Sequence, residues 1–192
     1  MVNTFVVSIK YEACAQALDM KRLGKQRLEA KQILLLLEDY SALRVLWNIS
    51  LETNPMLIKT QIRTLWDKYK ALGYKLVRRG FTLTRYDPKV PLQPEDRLMG
   101  LGFGLHPAVR MWYGYEEALK LYYNYIVKEW IGRGYKNTLP YYNIDVAQFK
   151  WPSWIGDQRV YSSHRASLVH KNKDYYAEKF GPLEFTGYYW PV

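Results

Sequence analysis

Three long stretches with helical spacing predict a mostly helical protein: residues 20–40, residues 106–131, and a third run beginning at Ser162 or Ser163. Each is bounded by residues that start or stop helices, such as Asp19 before the first and Gly132-Arg133-Gly134 after the second. Thr4 to Ile9 is short, apolar and β-branched, which fits either a strand or an extended segment buried in the fold. Tyr11 to Leu18 is rich in Ala and predicts a helix. Asp19 then offers a carboxylate to the orphan amides of the next helix. In that helix Leu23, Leu28 and the run Ile33 to Leu37 supply apolar surface. Five consecutive apolar residues predict that its second half is buried nearly all round. Its first half is basic and must face water or a partner.

Asn54-Pro55 marks a break, and Ile58, Ile62, Leu65 and Leu72 restore helical spacing over Met56 to Leu72. Residues 79–105 carry Gly80, Pro88, Pro91, Pro94, Gly100, Gly102 and Gly104, and read as a loop. The second long helix is expected from His106-Pro107, with Pro in its first turn, to about Ile131. An irregular aromatic segment, Tyr141 to Trp154, leads to a third helix capped by Ser162 or Ser163. That helix is interrupted near Asn172 and resumes through Tyr175 to Phe180. The tail, Phe185 to Val192, reads as a packed loop.

A chain of 192 residues is enough for one ordinary domain, and 48% apolar residues exclude global disorder. Lys and Arg number 28 against 18 Asp and Glu, a net charge of +10 that favours polyanionic partners. Aromatic residues reach 16%, and rings that stack on bases complement cations that neutralise phosphates. Cys14 is the single cysteine, so no intrachain disulfide can form, and its setting between Ala13 and Ala15 predicts a buried filler. No run approaches the roughly 18 apolar residues of a membrane span, and the N-terminus lacks a signal-peptide layout. Membrane insertion and secretion are therefore not expected.

Three constellations can carry chemistry. In Lys21-Arg22-Leu23-Gly24-Lys25-Gln26-Arg27-Leu28-Glu29, helical spacing puts Arg22, Gln26 and Glu29 on one face, with Lys21 and Lys25 beside them. The bland alternative is a solvated face with a Lys25–Glu29 pair. Gly24 inside a helix costs roughly 1 kcal/mol relative to Ala, and close approach of another backbone or of a phosphate is one candidate reason for it. The second is His106 to Trp112, where a helix start bearing His106 and Arg110 can receive a phosphate; Met111 and Trp112 read as core. Downstream, Glu116 and Glu117 are candidates for a general acid or base, with solvent-facing carboxylates the commoner case. In the third, Ser162 to Lys173, hydroxyls precede Arg165, Lys171 and Lys173 in a phosphate-gripping pattern. His164 and His170 lie six apart, which does not suit joint metal ligation on one helix, and no zinc pattern, phosphate loop, dinucleotide fingerprint or Ser-nucleophile motif occurs. The three clusters, at residues 21–27, 106–110 and 164–173, are expected to converge on one surface.

At these constellations the chain resembles the pyrimidine-dimer DNA glycosylase family, the endonuclease V-type glycosylase/AP lyases, and in particular its bacterial branch. The resemblance lies in Leu18 to Glu29, His106 to Trp112, the turn Trp154-Ile155-Gly156-Asp157, Ser163 to Leu168, and the closing Tyr188 to Val192. It covers residues 1 to about 40 and 100 to 192, leaving about 45–98 as an insertion. It implies a compact all-α single domain over residues 1–192, with three main long helices, an extended N-terminal segment and an inserted helical and loop region. It implies no metal or organic cofactor, and double-stranded DNA, damaged and kinked, as partner of a monomer. A cytoplasmic or nucleoid-associated location follows, or a nuclear or virion one for a eukaryotic or viral source.

The resemblance also implies a mechanism, in which an N-terminal amine attacks C1′ of the damaged nucleotide, expels the base and forms an imine, and β-elimination nicks the strand. Removal of Met1 leaves the Val2 amine as nucleophile. The phage members carry their catalytic Glu in an Arg-Glu-x-Pro-Arg stretch, where this chain has Leu23 or Gly24. Glu29, about one and a half turns further along the helix, is the substitute general acid/base. Lys21, Arg22, Lys25, Arg27, Arg165, Lys171 and Lys173 would neutralise phosphates, His106, Arg110 and His164 would line the site, and Tyr189 or Trp190 would stack near the lesion. The alternatives are a non-catalytic nucleic-acid-binding protein on the same fold, and a protein–protein module with an acidic target.

Overall fold

The computed structural model describes residues 3–47, 60, 64, 67, 71, 75–79, 82–86, 97–99 and 106–192. The chain divides into two compact units, one formed by residues 2–34 and 111–192, the other by Met1 and residues 35–110. Helix α1 (Tyr11–Ala17) and helix α2 (Met20–Trp47) open the chain. Strands β1 (Lys75–Arg79), β2 (Thr82–Tyr86) and β3 (Arg97–Met99) follow, then helices α3 (Pro107–Arg110), α4 (Glu116–Gly132), α5 (Gln158–Lys171) and α6 (Lys173–Phe180).

In the unit of residues 2–34 and 111–192, every regular element among the described residues is a helix. Helix α1 buries Tyr11, Cys14 and Ala15, one face at i, i+3 and i+4. Cys14 is the buried filler expected. The last carbonyls of α1 would be orphaned at its extended C-cap, Leu18. Arg133 satisfies that end by donating to Leu18 O at 2.8 Å and Gln16 O at 3.1 Å, held by Glu129 at 2.7 Å. Asp19 caps α2 as the sequence predicts, its Oδ1 accepting the Arg22 N–H at 2.7 Å. Leu23, Gln26, Ala30, Ile33 and Leu34 form the buried stripe of α2, whereas Leu28 is half exposed.

The close neighbour at Gly24 is the Trp130 indole of α4, a side chain where another backbone was expected. A Cβ at residue 24 would stand 3.0 Å from Trp130 Cζ3. Trp130 is itself fixed by the Arg27 guanidinium 4.0 Å over its ring and by Tyr135 at 4.3 Å.

Two helix boundaries differ from expectation. The stretch 106–131 is not one helix: α3 ends at Arg110 and α4 begins at Glu116. Gly114 between them takes φ +78°, a left-handed conformation that stops helical propagation. Helix α5 starts at Gln158, a turn before Ser162, because Asp157 caps it by accepting the Arg159 N–H at 2.9 Å. Ser163 sits inside the helix and donates to Val160 O at 3.0 Å. Gly156, at φ +95°, lets the Trp154–Asp157 turn deliver that cap. The interruption at Asn172, the resumption as α6 and the irregular tail match the sequence reading.

In the other unit α2 continues from Leu35. Leu36 and Leu37 are buried but Leu35 is half exposed, so the apolar run is not enclosed on every side. Residues 60, 64, 67 and 71 are helical, with Thr64 Oγ1 donating to Thr60 O at 3.0 Å; the rest of the expected helix from Met56 to Leu72 lies outside the described residues. The stretch read as a loop carries a three-stranded antiparallel meander in the order β1-β2-β3, with Lys75 opposite Tyr86 and Thr82 opposite Met99. Val77, Thr82 and Thr84 are β-branched and favour this pleated conformation, which outweighs the flanking Gly and Pro residues. No described helix is long and apolar enough to cross a membrane.

Candidate functional site

The extended segment from Asn3 to Val7 is buried, yet it joins no sheet. Its backbone polar groups must still be paired, and side chains from three helices do so. Gln26 is the hub. Its Nε2 donates to Asn3 O and to Glu29 Oε2, both at 2.8 Å. Its Oε1 accepts from the Phe5 N–H at 2.9 Å and from the Tyr122 hydroxyl at 2.8 Å. Both donors and both acceptor sites of the amide are thereby used. Thr4 Oγ1 accepts from Trp112 Nε1 at 2.8 Å. The Val6 N–H donates to His164 Nδ1 at 3.0 Å, and Arg165 Nε donates to Val7 O at 2.8 Å.

Glu29 completes this arrangement. Burial pushes its carboxyl above the usual carboxylate range, opposed by Lys25, by a hydrogen bond from the Asn3 backbone N–H and by Gln26. A carboxyl held above its ordinary range keeps a protonated fraction nearer neutral pH, as acid–base work requires. Tyr188 stands close enough to Glu29 for that charge to help raise its phenol, after burial, and its hydroxyl shares a 2.6 Å hydrogen bond with Ser167 Oγ. Trp190 packs at 5.0 Å from Tyr188, and both rings meet His164 edge-on at 5.5 Å. Both polar atoms of the buried Asn3 side chain, and His164 Nε2, are buried without a hydrogen-bond partner.

The phosphate-gripping residues predicted from sequence fall into two kinds. Lys21, Lys25, Lys171 and Lys173 are exposed. Arg22 pairs with Asp19 at 3.2 Å and reaches Lys171 O at 3.3 Å, which ties the first turn of α2 to the end of α5. Two of the three expected clusters are therefore brought together at this seam. Arg27 donates to Asn137 at 2.9 Å and stacks on Trp130, and Arg165 is committed to Val7 O. Their guanidinium groups hold the fold. His106 and Arg110 flank α3 in the other unit, where the His106 ring accepts from the Ala108 N–H at 3.1 Å and burial lowers its pKa. Val2 lies outside the described residues.

Glu117 is not a free acid. It pairs with Lys120 at 2.5 Å and accepts the Asp145 N–H at 2.7 Å, pinning the irregular segment to α4. Glu116 accepts the Gly114 N–H at 3.0 Å. In the tail, Tyr189 lies under the Arg159 guanidinium at 4.4 Å while Tyr188 and Trp190 turn to His164. Tyr188 and Gln26 are the residues that sequence reasoning missed as site residues. The signal was present: in an extended tail alternate residues share a face, so Trp190 on one side implies Tyr188 with it.

His164 lines this cluster as a neutral ring. Burial lowers its pKa from the ordinary 6.5 to about 4, with the Val6 N–H on its Nδ1. The unfolded chain thus takes up the proton first as pH falls, so this contribution to stability is complete above pH 6.5 and drains away toward pH 4. The loss amounts to about 3 kcal/mol over that interval. His164→Asn, which retains an acceptor for Val6, should give a flatter dependence of unfolding free energy on pH between 6.5 and 4. Equal slopes in urea titrations of the two proteins would contradict this.

Comparison with known proteins adds one finding. The family model described as pyrimidine dimer DNA glycosylase matches residues 2–143. Neither a curated protein nor a solved structure matches the chain.

Proposed function

Since the chain belongs to the pyrimidine dimer DNA glycosylase family, we propose that it excises damaged bases, pyrimidine dimers among them, through an imine formed by the Val2 amine. The observation that carries this reading is that Gln26 Nε2 bridges Glu29 Oε2 and Asn3 O, each at 2.8 Å, which holds the carboxyl beside the start of the extended segment. With Met1 removed, the chain would start at Val2, the residue before Asn3. An α-amine has an ordinary pKa near 8 and keeps a neutral, nucleophilic fraction near pH 7.

The Val2 nitrogen lone pair forms the bond to C1′, the glycosidic bond breaks, and the base leaves with a proton. The nitrogen lone pair then opens the sugar ring as Glu29 protonates the ring oxygen, which gives the protonated imine. The Glu29 carboxylate so formed removes a proton from C2′, and the C3′–oxygen bond breaks, releasing the 3′ phosphate. Water hydrolyses the conjugated imine and frees the amine. No metal or organic cofactor takes part.

Lys21, Lys25, Lys171 and Lys173, with Arg22 at the α2–α5 seam, supply the phosphate contacts, and Trp190 stacks near the extruded nucleotide with Tyr188 and Tyr189 beside it. The roles of His106 and Arg110 in lining the site rest on the sequence resemblance. The protein acts as a monomer on duplex DNA that it kinks.

Borohydride reduction during incubation with irradiated or abasic duplex tests this reading. It should yield a covalent protein–DNA adduct, together with strand nicking when borohydride is omitted. Salt-dependent binding without adduct or nicking, by protein lacking Met1, would assign the chain to non-catalytic nucleic-acid binding instead.

A further inference from the structure

We propose that Gln26 is a positioning residue that locks the Glu29 carboxylate to the Asn3–Thr4 peptide of the extended N-terminal segment, so that the acid–base group keeps a fixed place relative to that segment. This rests on the reading of Glu29 as the acid–base group. Gln26 is fully buried on the inner face of α2, one helical turn before Glu29. One hydrogen of its amide nitrogen goes to Asn3 O and the other to Glu29 Oε2, so a single planar group measures the separation between chain start and carboxylate. The amide cannot rotate to another arrangement, because its oxygen is held from the far side by the Phe5 N–H and the Tyr122 hydroxyl. Tyr122 is enclosed in turn by Tyr11 at 5.5 Å and Trp112 at 5.8 Å. A hydrophobic residue at position 26 would strip Asn3 O, the Phe5 N–H and the Glu29 carboxyl of this shared partner, whereas an amide with all four hydrogen-bonding positions used fixes their mutual orientation.

The groups facing the Glu29 carboxyl are Lys25 and Gln26 from its own helix, Tyr122 from α4, Tyr188 from the tail, the Asn3 N–H, and in the proposed reaction the Val2 ammonium. Lys25 and the donors favour the carboxylate, and burial opposes it. Replacing Gln26 by Glu removes a donor and adds a like charge on the same frame. Both changes disfavour the Glu29 carboxylate.

The experiment follows the titration of Glu29 by carbon NMR of glutamate-labelled protein, beside the pH profile of strand nicking. Gln26→Glu should raise the Glu29 midpoint by about one pH unit or more, and move the acid limb of nicking by the same amount. At neutral pH kcat should fall about tenfold or more while KM changes less than about threefold, because orientation and protonation are altered but phosphate contacts are not. Tyr122→Phe, which frees one side of the Gln26 oxygen without adding charge, should shift both readouts in the same direction by a smaller amount, and serves if Gln26→Glu does not fold. An unmoved Glu29 midpoint in a folded variant, whatever its melting temperature, overturns the proposal. The NMR titration needs no turnover. Absence of nicking by the parent protein would therefore remove the imine reading while Gln26 was still judged.

Discussion

Glu29→Gln is expected to reduce strand cleavage by about 100-fold or more while leaving duplex affinity within about threefold. The substitution keeps the shape of the side chain, and its oxygen can still accept from the Asn3 N–H or from Gln26, so the extended segment should stay docked. What is lost is the exchangeable proton. Glu29 is half-buried, which raises its pKa, and the hydrogen bond from Gln26, which also holds Asn3 O, ties it to the start of the extended segment. An amide in that place can neither protonate the sugar oxygen nor take a proton from C2′. Binding should be spared because the lysines proposed to contact phosphate, at positions 21, 25, 171 and 173, are untouched. Cleavage within about tenfold of the parent, measured under single-turnover conditions on irradiated duplex, would show that another group does the proton transfer.

The largest effect on stability is expected at Trp112. Its ring is fully buried, packed at 5.0 Å edge-on to Trp154 and tilted against Tyr122 and Tyr11, and its Nε1 donates to Thr4. Trp112→Ala should cost about 3–5 kcal/mol through the cavity it leaves. A thermal melt of a chain of this size should then shift down by about 10 °C or more. Trp112→Phe isolates the polar part: most of the ring packing is kept, Thr4 Oγ1 loses its donor, and the cost should be about 1–2 kcal/mol. Because Thr4 follows Asn3, Trp112→Phe should also impair cleavage more than binding. A midpoint for Trp112→Ala within about 3 °C of the parent would show that this core is not the keystone of its unit.

The parts of this structure governed by local rules were legible in the sequence. The Asp19 cap, the helices that follow it, the break at Asn172 and the burial of Cys14 depend on neighbours within a turn or two, where propensity and capping act. The errors came where a local signal met a competing one. Ser162 and Ser163 are good cap residues, but Asp157 on the turn made by Gly156 reaches the helix start first. The stretch 106–131 has continuous helical spacing, and one left-handed glycine divides it. At the meander, Gly and Pro counted for more in the reading than the β-branched residues between them.

The site was legible in part. Helical spacing alone put Gln26 and Glu29 on one face, and they are bonded there. That Gln26 also grips Asn3 and Phe5 is a contact across more than 20 residues, which no local pattern encodes. The same holds for Arg165. A basic residue in a basic cluster reads as a phosphate contact, but its guanidinium closes on Val7 O, 158 positions away. The extended segment needs such long-range donors because it has no strand partner, and charge alone could not announce that need.

The central claim is that one amine, that of Val2, does the covalent chemistry. It is tested most directly by reducing the complex with abasic duplex using borohydride, digesting with trypsin and sequencing the nucleotide-bearing peptide by mass spectrometry. The account predicts the adduct on the α-amine of the peptide Val2 to Lys10. An adduct on a lysine side chain, such as Lys25 beside Glu29, would contradict it.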